Sequence, residues 1–362
     1  MSIKVQFENL KKVNADFEKE FQDQFMAFLN SGRYILGEEV NKFETAFASY
    51  NQSGHCIGVG NGTDALTISL KAAISNLKGE IIVPSNTYIA TILPIINLGM
   101  TPVLVEPDIL SYNIDPEKIE EKISHDTRAV IITHMYGKPC QMDKILHICE
   151  KYNVPLIEDC AHAHGAEYRG IKVGNFGLGA FSFYPTKNLG ALGDAGGITC
   201  DDVNINNKAR ALRNYGSSIK NQNDIVGYNS RLDELQAGFL TIKLRNLDNI
   251  NQHKEKLAEA YFEALKDKFL LPIKQKAIKD VFHIFPIRHE QRDRLRSFLL
   301  KNGIETEIHY PKPPHKQPAL ENVIKGDYPI SEEIHNTILS LPISYSHTLE
   351  DINFVCEILN KF

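Results

Sequence analysis

Hydrophobic and polar positions along the 362-residue chain fall into two regimes. From about residue 56 to residue 240, short apolar runs alternate with segments of helical period. The run Cys56–Gly60 leads into a helical pattern over Asp64–Ile74. Strand-like runs follow at Glu80–Pro84, Thr101–Val105 and Arg128–His134, then a helix over Asp143–Tyr152 and a strand at Val154–Asp159. Gly179–Tyr184 and Gly196–Thr199 add two more strands. Short β-rich runs alternating with helices of about 10–15 residues predict βαβ units, hence an α/β fold on a largely parallel sheet.

From Leu232 the period changes. Leu235, Phe239, Ile242, Leu247, Ile250, Leu257, Tyr261 and Leu265 keep roughly helical spacing, with no proline between Pro185 and Pro272. This predicts one long helix or two nearly continuous ones. We expect it to join a large unit over residues 1–245 to a smaller C-terminal α/β unit over residues 246–362. The smaller unit should hold a strand near Val281–Arg288, a helix near Arg292–Lys301 and a strand at Glu305–Tyr310. A proline-rich loop over Pro311–Pro318 and a final helix with Thr348 as N-cap complete it.

Composition narrows the class. Hydrophobic residues at 43% and charged residues at 23% mark a globular chain. Forty basic against 45 acidic residues, net −5, leave no electrostatic footprint for nucleic acid or an anionic membrane. There is no apolar run of about 18 residues to span a bilayer. The charged opening MSIKVQFENLKKVNADFEKE lacks the apolar core of a secretory signal. Six scattered cysteines without a CxxC pair read as reduced, buried thiols, and the expected compartment is the cytoplasm.

Three stretches have the residue types for chemistry. In GVGNGTDAL (Gly58–Leu66) a glycine-rich turn joins a strand to a helix. It is either a phosphate cradle of backbone N–H groups or a tight turn with Thr63 or Asp64 capping the helix. A dinucleotide fingerprint would need glycine at Thr63, and the P-loop lysine is missing, so neither of those sites fits. In VPLIEDCAHAHGA (Val154–Ala166) a strand delivers Glu158 and Asp159 at its C-terminal end, where ligands bind in open parallel sheets. Side chains alternate along a strand, so only one of these carboxylates faces the crevice. His162 and His164 raise a metal site, but no third ligand stands at diagnostic spacing, and none is expected. In GLGAFSFYPTKNLGALGDAGG (Gly177–Gly197) Lys187 sits among small and apolar residues. Desolvation there would depress its pKa and free a nucleophilic amine; the alternative is a lysine snorkelling from a buried loop.

An anion cradle, a strand-end aspartate and a sequestered lysine about 28 residues later are the parts that pyridoxal phosphate chemistry uses. With SGRYILGEEVNKFETAFASY (Ser31–Tyr50), PSNTYIAT (Pro84–Thr91), RNYGS (Arg213–Ser217), GYNSRLDELQAG (Gly227–Gly238) and GIETEIHYPKPPHKQPA (Gly303–Ala319), they cover nearly the whole chain. The sequence resembles the fold-type-I, aspartate-aminotransferase-like superfamily, and within it the DegT-type sugar aminotransferases. The resemblance implies a large domain with a mostly parallel seven-stranded sheet flanked by helices and a smaller C-terminal α/β domain. It implies pyridoxal 5′-phosphate as cofactor, with Lys187 forming the Schiff base and shuttling the proton, and Asp159 keeping the pyridine nitrogen protonated. Gly62, Thr63 and Ser182 would hold the phosphate, and Tyr88 would lie against the ring. Asn229 would reach the phosphate in a neighbouring subunit, implying a homodimer with shared sites. His162 stands where the family commonly has glutamine.

Lys187 in place of the histidine of the related sugar dehydratases implies amino transfer. Carbon-4 enzymes usually read FHP or FYG before the lysine and GEGG after it. Here Tyr184 and Asp194, in FYPTKNLGALGDAGG, resemble the group acting on dTDP-linked 3-keto-6-deoxyhexoses. Tyr184, Arg231, His309 and Tyr310 are the expected substrate contacts, with L-glutamate as amino donor. The alternatives are a carbon-4 nucleotide-sugar or cyclitol aminotransferase, or a cofactor-binding regulator without turnover.

Overall fold

The computed structural model describes residues 2–219, 221–265 and 268–362. Its main sheet has seven strands: β1 (His55–Val59), β2 (Glu80–Pro84), β3 (Thr101–Val105), β4 (Thr127–Thr133), β5 (Leu156–Asp159), β6 (Leu178–Ser182) and β7 (Gly196–Cys200). Their order is β1-β7-β6-β5-β4-β2-β3. Strands β3, β2, β4, β5 and β6 pair in parallel. Strand β7 runs antiparallel to both β6 and β1, so the other six share one direction. The sheet is therefore mixed but mostly parallel, as the alternation of strands and helices predicts.

Val and Ile on both faces explain why these strands sit at the centre. Ile57, Ile81, Val83, Ile131 and Ile157 pack into one buried layer, and Ile82, Val105, Val130 and Ile132 into the other. Consecutive residues enter opposite layers, as the period of two requires. Helices α1 (Glu38–Asn51), α2 (Gly62–Ala73), α3 (Ile89–Asn97) and α4 (Glu234–Leu244) surround the sheet. The expected long helix is two, α4 and α5 (Leu247–Leu265), parted by Arg245 and Asn246. Leu257, Tyr261 and Leu265 of α5 enter a third core with Phe285, Leu295, Leu341 and Val355. That core contains a small antiparallel pair, β8 (Phe285–Arg288) and β9 (Ile338–Leu341). All six cysteines are free and buried. Among the described residues no helix is long and apolar enough to cross a membrane.

Thr348 caps the last helix with a full capping box, as expected. The strand expected at Glu305–Tyr310 does not form. Only Glu307 bridges Ser340 there. Farther along, side chains take the backbone carbonyls: the Tyr136 hydroxyl donates to His309 O at 2.5 Å, and His335 Nδ1 bonds Tyr310 O at 2.7 Å. Pro311 then removes the next ladder donor.

Candidate active site

Strands β1, β5 and β6 end on the same edge of the sheet, and the site grows from those ends. Beyond β1 the chain turns through Gly60 into α2. The cap is Asn61, not the Thr63 or Asp64 expected from the sequence: the Asn61 side chain accepts from Asp64 N–H at 2.8 Å. An extended Asn61 before a glycine reaches back over the first turn, whereas Thr63 and Asp64 already lie inside the helix. Capping satisfies the third N–H and leaves those of Gly62 and Thr63 at the positive end of the helix. A Cβ on Gly62 would stand 2.6 Å from Ser182 Cβ, so only glycine lets the β6 hydroxyl approach the helix N-terminus. A Cβ on Gly196 would meet the Asn61 carbonyl at 2.3 Å, which explains the glycine on the neighbouring strand. Behind the turn, buried Glu44 accepts from Gly58 N–H at 2.8 Å and pairs with Arg210 and Arg213. Ser230 closes the other side, donating to Asp64 at 2.6 Å and accepting from Gly60 N–H at 3.0 Å.

At the end of β5 the two carboxylates diverge, as alternation demands. Glu158 turns away and accepts from Gly174, Phe176 and Gly177 N–H at 2.8–2.9 Å and from His134 Nε2 at 3.1 Å. His134 Nδ1 accepts from Cys140 N–H, so the polar atoms of this buried group are already paired within the protein. Asp159 faces the crevice. It accepts from Thr91 Oγ1 at 2.8 Å and Ala161 N–H at 3.1 Å, and Thr91 in turn bonds Thr87. Burial raises the Asp159 pKa, opposed by Thr91, Ala161 and the charge of Lys187. Lys187 follows β6 in a turn closed by its own N–H to Tyr184 O. Burial pushes its amine down to about 8, and the Asp159 carboxylate pulls the other way. The amine thus lies within electrostatic reach of Asp159.

His162 adds an imidazole to the same crevice. Tyr136 N–H donates to its Nδ1 at 3.3 Å, which puts the ring proton on Nε2, 3.4 Å from the Tyr310 hydroxyl. Burial and then the charge of Lys187 hold its pKa well below the ordinary value, so the ring is neutral. Like the amide of glutamine, it offers an N–H donor from an uncharged group. Tyr310 stacks on half-exposed Tyr88 at 4.7 Å. His309 lies against Phe7 and bonds Ser340 through Nδ1 at 2.9 Å. His164 is sealed between Phe181 and Phe183 with neither nitrogen bonded, and does not share the His162 environment.

Other expected residues stand at the rim or outside it. Tyr184 is exposed. Asn229 is exposed and bridges Asn214 through the backbone; Arg231 donates to Asn214 Oδ1 at 3.1 Å and lies over Tyr215. These contacts do not include Lys187. Six residues that sequence reading missed complete the cluster: Thr91, Tyr136, Asn188, Asn251, Lys254 and His283. Thr91 and Asn188 lay in motifs already quoted, but no feature of PSNTYIAT marks the Thr91 hydroxyl as a partner for Asp159, and nothing local marks Asn188 as a partner for α5.

The donor set fits pyridoxal 5′-phosphate: two unbonded helix N–H groups beside a hydroxyl, a carboxylate, a depressed lysine and an aromatic face converge on one crevice. Comparison with known proteins agrees. A 49% identical relative, over 99% of both chains, is the dTDP-3-amino-3,6-dideoxy-alpha-D-galactopyranose transaminase of Aneurinibacillus thermoaerophilus. The crystal structure of DesV from S. venezuelae matches with a TM-score of 0.95 and 38% identity, covering 99% of this chain and 98% of that one. That of ntda from Bacillus subtilis, with bound cofactor PMP, matches at 0.92 and 29%, covering 100% and 85%. The model of the DegT/DnrJ/EryC1/StrS aminotransferase family matches residues 15–360, and this chain belongs to that family.

Proposed function

We propose that this protein transfers an amino group from L-glutamate to the 3-keto carbon of a dTDP-linked 6-deoxyhexose, giving the 3-amino-3,6-dideoxy sugar. The carrying observation is 49% identity throughout to a transaminase for such a sugar, in a chain that keeps Lys187 close enough to Asp159 to feel its charge. Pyridoxal 5′-phosphate, when bound, supplies the carbonyl that takes the amino group and the ring that accepts the electron pair of the breaking C–H bond. The protein does the rest. Gly62 and Thr63 N–H with the Ser182 hydroxyl bind the phosphate dianion. Asp159, fixed by Thr91 and Ala161, would hold a proton on the cofactor's ring nitrogen. His162 would offer its Nε2–H, and Tyr88 its aromatic face, to the cofactor ring.

Lys187, basic enough to accept a proton and depressed enough to be free of one, would remove the proton from the donor carbon and hand it on in the first half-reaction, and would deliver a proton to the sugar carbon in the second. Tyr184, Arg231, His309 and Tyr310 hold the nucleotide sugar. Asn229 serves the phosphate of a second subunit, so the working form is a homodimer, each chain divided into a cofactor unit (residues 1–245) and a smaller unit (246–362). Exposed apolar residues such as Phe25, Met26, Leu29 and Val226 are available for that contact.

The test uses purified protein with glutamate and 3-keto or 4-keto dTDP-6-deoxyhexoses, the product identified by mass and NMR. The 3-amino sugar is expected; amination of the 4-keto sugar alone overturns the assignment. In Lys187→Ala and Lys187→Arg, the cofactor's visible absorbance band and turnover should both disappear.

A further inference from the structure

His283 reaches the crevice from the segment before β8. Its ring packs 4.6 Å from that of His162, and its position there is set by a chain of bonds from α5. Asn188, next to Lys187, donates from Nδ2 to the Val281 carbonyl at 2.9 Å and to Asn251 Oδ1 at 2.8 Å. Asn251 is oriented by donating to His164 O at 2.8 Å. A carbonyl only accepts, so the Asn188 amide has one orientation, with Oδ1 toward Lys254 Nζ at 3.1 Å and His283 Nδ1 at 3.3 Å. A lysine ammonium only donates, which confirms Oδ1 as acceptor. The proton of His283 is therefore on Nδ1, and Nε2 carries a lone pair. Among the described residues no protein group bonds Nε2, and His283 is only half-buried, unlike the sealed His164. The crevice thus presents two neutral imidazoles of opposite sense, a donor on His162 and an acceptor on His283.

We propose that His283 is a specificity-determining residue that accepts a hydrogen bond from a hydroxyl on a carbon flanking the keto carbon of the sugar. The inference rests on the functional reading above. A ping-pong transferase presents one crevice to two substrates. Beside the reacting carbon an amino acid carries a carboxylate, whose oxygens meet the Nε2 lone pair unfavourably. A 6-deoxyhexose with its keto group at carbon 3 carries hydroxyls there. Lys187 and Lys254 nearby disfavour a further ammonium, which leaves a neutral O–H as the group that suits the acceptor. Its neighbour His162 touches Tyr310, one of the residues assigned to the sugar, so His283 stands between lysine and sugar ends of the crevice.

The test is calorimetric binding of a dTDP-3-amino-3,6-dideoxyhexose to the cofactor-loaded protein, its His283→Leu and His283→Gln variants. His283→Leu should weaken binding at least about tenfold, and His283→Gln, which keeps an acceptor oxygen, should recover most of the loss. An analogue lacking the hydroxyl at carbon 2 or at carbon 4 should, for one of the two, bind wild type and His283→Leu alike. The KM for the sugar should rise more than that for glutamate. Equal affinities in all three proteins, or equal losses in both variants, overturn the role of His283. A wild type that makes no 3-amino sugar overturns the functional reading itself; a competent wild type with affinity unchanged in His283→Leu overturns only this inference.

Discussion

Three lysines are lowered to about 8, and the proposed function gives a chemical task to one of them. Burial lowers Lys187, Lys243 and Lys254 alike to about 8. Lys243 donates to Gly190 O at 2.7 Å and Lys254 to His283 O at 3.1 Å, so both are held by carbonyls. Among the described residues no carbonyl holds Lys187, whose charge is opposed by Asp159 instead. Because its folded pKa lies below the usual 10.5, its free-amine fraction should be half-maximal near pH 8 and fall below it. Labelling cofactor-free protein with an amine-reactive sulfonate should show a fast component with that midpoint, missing from Lys187→Arg. His162 gives a second expectation at this scale. Its NMR signals should stay those of a neutral ring from pH 8 down through pH 6, because burial depresses its pKa. His162→Gln should retain cofactor affinity, and His162→Leu should lose about tenfold of it through the missing donor. The sequence makes Lys187 and Asp159 legible because small residues around a lysine and a carboxylate at a strand end are visible one-dimensional signals. It does not show which His162 nitrogen carries the proton, since that is decided by Tyr136, 26 residues away.

Elements follow local pattern where one face or both are buried, and depart from it where side chains compete for the backbone. β2 and β3 span the residues expected, since their short apolar runs, Ile81–Val83 and Val103–Val105, are closed by Ser85 and Glu106 before any helical period begins. Glu305–Tyr310 alternates like a strand, but Tyr136 and His335 reach across to take its carbonyls, and no pattern within six residues reveals them. The start of α1 is set in the same distant way. Glu234 of α4 accepts from Gly37, Glu39 and Val40 N–H at 2.5, 2.9 and 3.1 Å, capping a helix nearly 200 residues earlier in the chain. Glu234→Ala should therefore cost about 2–4 kcal/mol in chemical denaturation, because buried N–H groups lose a charged acceptor. Loss below about 0.5 kcal/mol would mean that water replaces the carboxylate there.

For the whole molecule, the sheet and its crevice were readable from the alternation of strands and helices, whereas contacts between distant segments were not. Asn188, Asn251, Lys254 and His283 meet only because α5 lies across the loop after Lys187. The proposed shared sites give an outcome at this scale. Lys187→Ala and Asn229→Ala should each be strongly impaired alone, and subunit exchange between them should restore about a quarter of wild-type activity, from the one intact site in each mixed dimer. Activity that stays at the sum of the two separate variants would show that Asn229 does not act across subunits.

α5 also bears on attempts to graft sugar preference from one member of the family to another. It carries Asn251 and Lys254, which grip Asn188 directly after Lys187, and it continues into the core of the C-terminal region, against which Ile308 packs. A chimera spliced behind Leu265 would separate a transplanted C-terminal half, which carries His283 and the proposed sugar contacts His309 and Tyr310, from the two side chains that orient its own histidine. The junction that keeps this clasp with its own C-terminal half lies at Arg245–Asn246, between the two helices, and a foreign half spliced there would bring its own clasp to the host's lysine.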